Sequence, residues 1–179
     1  MLLDRYHGDL VNAPLSTQRV FITVIFLGLV GMAARNVVDP DAWWHLRTGA
    51  LIAQTHHIPR ADIYSFTVPG KRWVVQEWGS ELVMHGFRAA FGLYGILVWR
   101  AVMLTLIYVL VARLLVRRMG SGLGTWILLA LTAYAGQLSW TERPNLFSFL
   151  LFIVVLELIE RRTRSILARD AIDEGAKTS

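Results

Sequence analysis

Cysteine is absent from all 179 residues. That excludes disulfides, thiolate catalysis and cysteine-ligated metal centres. Charge is scarce as well: Asp, Glu, Lys and Arg make up 17% of the chain, against about 25% in an ordinary soluble domain. The apolar runs hold few polar residues and no pair of interrupted helices, which speaks against a transporter or channel component. No nucleic-acid partner is expected either, although the formal net charge is +5 and the pI is near 10.1. Most arginines flank apolar blocks, and no basic stripe interleaved with aromatics stands apart from them.

What is present is hydrophobicity: 55% of residues are apolar and the mean hydropathy is +0.47. It is concentrated in four blocks, the pattern of an all-α polytopic membrane protein with four transmembrane helices. The spans run from about Val20 to Val38, Tyr94 to Leu115, Leu123 to Leu138 and Leu146 to Ile159. The last two are short for a bilayer core that takes about 20 residues, so they borrow neighbours such as Trp140 and Phe147. The small residues Gly31 and Ala33 loosely resemble a signal-cleavage site. Asp4 and Asp9 in the preceding segment argue instead for a retained anchor.

Arginine placement sets the orientation. Arg5 and Arg19 precede the first span, Arg113, Arg117 and Arg118 follow the second, and Arg161, Arg162, Arg164 and Arg169 follow the fourth. With four spans all three groups share one side, which the positive-inside rule makes cytoplasmic. Residues 1–19 are then a cytoplasmic N-terminal segment, 20–160 the four-span membrane domain and 161–179 a cytoplasmic polar tail. Residues 39–93 form a large periplasmic or extracellular loop. Trp43, Trp44, Trp99 and Trp140 are expected at the outer interface, with Trp126 near the inner one.

The outer loop is too long to be a mere connector. Asp39-Pro40-Asp41 opens a helical pattern, with Asp39 as N-cap and Pro40 in the first turn. Ala42, Trp43, Leu46, Ala50 and Ala53 mark its apolar face, and Ile58-Pro59 ends it. Ile63 to Thr67 reads as an extended stretch. Val68-Pro69-Gly70-Lys71 is a type II turn signal, and Arg72 to Val75 returns as the second arm of a small hairpin. Glu77 to Phe91 reads as a second amphipathic helix leading into the second span. Both helices are expected to lie at the outer interface.

Several polar residues here can carry chemistry. Asp39 and Asp41 can bind Mg²⁺ or Mn²⁺ or act as a general base; two acids at a helix N-terminus also suit the helix dipole alone. His45, one turn from Asp41, can be a ligand, a proton acceptor or simply a paired interfacial residue. His56-His57 lacks a second pair at ligand spacing and reads as loop polarity. Asp62 and Glu77 can add ligands or pair with Arg60 and Arg72. Arg143, before Pro144, and Arg72 can meet a phosphate, or Arg143 can meet only Glu142. Arg100, early in the second span, is either functional or snorkels to the interface.

DAWWHLRTGALI, IPRADIYSFT with the following Trp73, QEW around Glu77, and TERPNLFSFLLF together resemble the GT-C superfamily of membrane glycosyltransferases. That superfamily includes the protein O-mannosyltransferases, the oligosaccharyltransferase catalytic subunit and the arabinose–lipid A transferases. The likeness covers roughly residues 18 to 160 and is strongest to a bacterial subgroup. It implies a bacterial cytoplasmic (inner) membrane, a first span followed by a large outer loop, and a polyprenyl-phosphate-linked sugar as donor. It also implies an acidic residue or pair just after the first span as base or metal contact, here Asp39 and Asp41. Members of the superfamily have more spans than the four read here, and later spans help build the donor groove. Two expectations follow. One is a non-catalytic accessory subunit held by other integral membrane subunits within the lipid bilayer. The alternative is a glycosyltransferase, either completed by a partner or an oligomer or a minimal lipid-linked sugar transferase.

Overall fold

The computed structural model describes residues 17–33 and 39–178, and within them the chain is all-helical. Six α-helices follow one another: α1 (Thr17–Ala33), α2 (Ala42–Thr55), α3 (Trp78–Phe91), α4 (Gly95–Met119), α5 (Leu123–Gly136) and α6 (Asn145–Thr178). Three-residue 3₁₀ turns at Gly92–Tyr94 and Gln137–Ser139 join α3 to α4 and extend α5. Arg5 and Arg35 to Val38 lie outside the described residues.

α4 is the axis of the bundle and touches α1, α3, α5 and α6. Its buried residues Ile96, Trp99, Met103 and Ile107 recur every three or four positions, and Leu104 and Tyr108 run beside them, so one broad stripe faces the neighbours. Leu29 and Ala33 of α1, Leu129 and Ala133 of α5, and Leu146 of α6 close on that stripe. The outer circumference is apolar too: Val24, Leu27, Leu131, Tyr134, Phe152 and Leu158 are all exposed.

The four predicted spans appear as four helices, but they do not all meet the requirements of a span. Among the described residues only the run Trp78–Met119 is long and apolar enough to cross a membrane, with a mean hydropathy of 2.2 in its most apolar stretch. Among the described residues α1 offers only a shorter apolar stretch, Ile22–Gly31, and α5 has 14 residues. In α6, Glu157 and Glu160 interrupt the apolar sequence. The helix nevertheless continues through the predicted polar tail to Thr178. Arg161 and Arg164 pair with those two carboxylates one turn on, which supports the exposed continuation. Arg117 and Arg118 of α4 meet the same two carboxylates from the side, so the arginine-rich ends of α4 and α6 lie together.

The two loop helices form, with altered details. The buried face of α2 is Ala42, His45, Leu46, Thr48, Gly49 and Ile52, whereas Trp43 is exposed. The helix stops at Thr55, ahead of Ile58-Pro59. His56 takes the left-handed conformation (φ 55°) and its N–H closes on the Ile52 carbonyl at 2.9 Å. The predicted hairpin shrinks to one antiparallel bridge, Ala61 with Arg72. Its turn forms as read: Lys71 N–H reaches the Val68 carbonyl at 3.4 Å, and Gly70 supplies the positive φ of 77°. Asp62 replaces the first arm by folding back on itself. Its carboxylate accepts the backbone N–H groups of Tyr64 (2.8 Å) and Ser65 (2.9 Å), an Asx turn that no strand accommodates.

Two of the four tryptophans expected at the outer interface are core residues. Trp99 is fully buried between Phe87 and Phe147, and Trp140 packs edge-on against Tyr108. Helix packing against α4 claims these rings before any surface can.

Candidate functional site

The site lies where the loop helices meet the start of α6, and it is assembled by one close approach. A Cβ on Gly49 would stand 2.1 Å from the Glu81 carbonyl oxygen, so α2 and α3 cross in backbone contact there. His45, one turn before Gly49, is thereby pressed onto Glu81. His45 Nδ1 lies 2.8 Å from Glu81 Oε1 and 3.7 Å from Glu77 Oε2. His45 and Glu81 are buried, while the Glu77 side chain is half exposed. Glu81 Oε2 is buried with no hydrogen-bond partner. His45 also stacks on Trp44, which with Tyr64 and Trp73 forms an aromatic wall. A groove of about 220 Å³ opens beside it, lined by Trp44, Trp73, Val75, Gln76, Glu77 and Glu81.

The second half of the site joins the two motifs at either end of the sequence. Arg143 Nε donates to Asp39 Oδ2, and its Nη2 reaches Asp39 Oδ1 at 3.2 Å and Asp41 Oδ2 at 2.6 Å. Asp39 Oδ1 also accepts the Asp41 N–H at 3.0 Å, but α2 begins two residues later than the sequence suggests, with Asp41 rather than Asp39 at its N-cap and no side-chain capping bond. The Asp39 N–H donates in turn to Glu142 Oε2 at 3.3 Å. Glu142 forms a buried ion pair with Arg100, whose Nε donates to the Ala33 carbonyl at 2.7 Å. Arg100 is therefore a fully buried tie between α1, α4 and the start of α6, and does not snorkel. Arg143 meets Asp39 and Asp41 and leaves Glu142 to Arg100.

Electrostatics links the two halves. Hydrogen bonding to Arg143 holds the Asp39 carboxyl below its ordinary range; burial opposes this, and the Asp41 N–H adds to it. His45 contributes to the field at Asp39, and Glu77 to the field at Arg143. Five carboxylates (Asp39, Asp41, Glu77, Glu81 and Glu142) thus face two guanidinium groups. The Asp39/Asp41 pair does not fit the Mg²⁺ or Mn²⁺ expected of it, because the Arg143 guanidinium takes up carboxylate oxygens that a dication would need.

Of the residues singled out in the sequence, Asp39, Asp41, His45, Glu77 and Arg143 come together here. Arg72 lines a different groove of about 630 Å³ with Ile58, Arg60, Trp73 and Trp78, and Arg143 does not line it. Asp62 turns to its own backbone and pairs with neither Arg60 nor Arg72. One residue, Glu81, escaped sequence reading, and so did the pairing of Glu142 with Arg100. Glu81 follows Glu77 by four positions on a helix, a spacing that puts both carboxylates on one face. No local signal pointed from Glu142 to Arg100, which is 42 positions away. No family model, curated protein or solved structure matches the chain.

Proposed function

We propose that the chain is a non-catalytic integral membrane subunit derived from a GT-C-like fold and held in a larger membrane assembly. The observation that carries this is the closure of Asp39 and Asp41 onto Arg143. In a glycosyltransferase of that type the acidic pair is the base or metal contact. Here it is tied to a cation that also anchors the start of α6, so its work is to fasten the loop to the bundle. The apolar outer circumference supports the same reading, since it suits lipid and neighbouring helices. On this proposal α1, α4, α5 and the first half of α6 span the membrane, their arginine-rich ends are cytoplasmic, and α2 and α3 lie on the outer face. Association with other subunits then comes from packing and polar contacts rather than a hydrophobic drive. Gentle detergent extraction followed by native mass measurement tests it. A stoichiometric complex with other membrane proteins is expected, and a monodisperse monomer under every mild condition refutes it.

One observation favours a second reading, transfer of a polyprenyl-phosphate-linked sugar: the charged cluster adjoins a groove walled by Trp44 and Trp73. On that reading Asp41→Asn lowers turnover at least about 10²-fold with expression retained. Unchanged turnover in the Asp39→Asn/Asp41→Asn double variant leaves only the structural role.

A further inference from the structure

We propose that His45, Glu77 and Glu81 form a binding site for a divalent transition-metal ion of the Zn²⁺ or Mn²⁺ kind, bridging α2 and α3. The inference stands apart from both readings of function.

One ligand atom from each residue lies within 4.8 Å of the other two. With metal–ligand bonds of about 2.0–2.1 Å, neighbouring ligand atoms of a tetrahedral site lie about 3.4 Å apart. The observed 2.8 and 3.7 Å from His45 Nδ1 to the two carboxylates bracket that spacing. All three ligand atoms lie within 4.8 Å of one another, so no pair has to close by more than about 1.4 Å to reach that spacing.

The second observation is Glu81 itself. Its side chain is fully buried, and a hydrogen bond from His45 satisfies only Oε1. Oε2 remains without a partner in the same place. A buried carboxylate left half satisfied is costly, and a protonated imidazole answers only one of its oxygens. A dication at the mouth of the pair engages the carboxylate as a whole and offsets the excess of carboxylates over guanidinium groups in the cluster. The imidazole nitrogen selects a transition ion over Mg²⁺ or Ca²⁺, which take oxygen ligands. The half-exposed Glu77 leaves the fourth position facing the groove beside Trp44 and Trp73, where water or an anionic oxygen completes the shell.

The test uses the full chain in detergent, stripped with a chelator and titrated with Zn²⁺, Mn²⁺ and Mg²⁺ by calorimetry, with bound Mn²⁺ followed by its paramagnetic resonance. One Zn²⁺ or Mn²⁺ per chain is expected, with at least tenfold weaker binding in Glu81→Gln and in Glu77→Gln. Glu77→Gln changes a half-exposed side chain and keeps the test open if the buried variant fails to fold. Asp41→Asn is expected to bind as the parent does. Absence of one-to-one Zn²⁺ or Mn²⁺ binding overturns the proposal. So does undiminished binding in Glu77→Gln, or loss of binding in Asp41→Asn alone, which moves the ion to the other carboxylate pair.

Discussion

Replacing Gly49 by alanine tests the geometry on which the site depends. The added Cβ would lie 2.1 Å from the Glu81 carbonyl oxygen, 2.7 Å from its carbonyl carbon and 3.0 Å from His85 Cβ. The first two are backbone atoms, so no rotamer change relieves the clash. Ordinary contact begins near 3.4 Å, and α2 and α3 must therefore part by at least about 1 Å against packed neighbours. Overpacking of this kind costs about 1–3 kcal/mol, occasionally more. Alanine recovers up to about 1 kcal/mol of helix propensity relative to glycine. A backbone clash of this depth belongs at the upper end of the overpacking cost, so the clash wins, with a net loss of up to about 2 kcal/mol and a thermal midpoint lowered by up to about 8 °C for a chain of this size. The same separation lengthens the His45–Glu81 contact. Gly86 is the control, because it sits inside α3 with nothing within 4 Å of an added Cβ. Gly86→Ala should raise the midpoint through propensity alone. Thermal melts in detergent, followed by tryptophan fluorescence and circular dichroism, compare the two variants. If Gly49→Ala is as stable as Gly86→Ala, the helices are not in backbone contact and the reasoning fails.

Other consequences are open to direct measurement. Glu142→Gln removes the carboxylate that pairs with the fully buried Arg100 and should cost about 3–5 kcal/mol, read as a collapse of the melting midpoint or of accumulation in the membrane; parent-like stability would show that the pair is not buried. Asp39 has a lowered native pKa, so its stabilisation is fully present above the ordinary aspartate value of 3.8 and is lost as the pH falls below it towards the native value. Denaturation curves across that range should therefore show an acid-side loss in the parent that is reduced in Arg143→Ala, and identical curves for the two would refute the Arg143 assignment. Reporter fusions at Gly70 and Gly120 should localise to opposite sides of the membrane, and the same side for both would sink the four-span proposal.

The sequence by itself determined the local features. A long apolar run marked α4, although which of its faces is buried, the stripe from Ile96 to Tyr108, was not read. Pro69-Gly70 announced the turn because those residues suit its dihedral angles, and Asp39-Pro40-Asp41 marked the start of α2 to within two residues, the helix beginning at Ala42 with Asp41 as its N-cap. Asp39, Asp41, His45 and Arg143 were legible as polar residues of the segments that lie between the apolar runs. Their partners were not. Arg143 could meet Glu142 beside it or Asp39 across the fold, and only the packing of α6 on α4 decided for Asp39. The same packing buried Arg100 on Glu142 and took Trp99 and Trp140 into the core. His45 found Glu81 because Gly49 lets two backbones touch, a fact that lies in the crossing of α2 and α3. Hydrogen bonds within a turn depend on neighbours a few positions apart, so sequence exposes them. Ion pairs across some 40 or 100 positions depend on which helix faces meet, and only the assembled bundle fixes those faces.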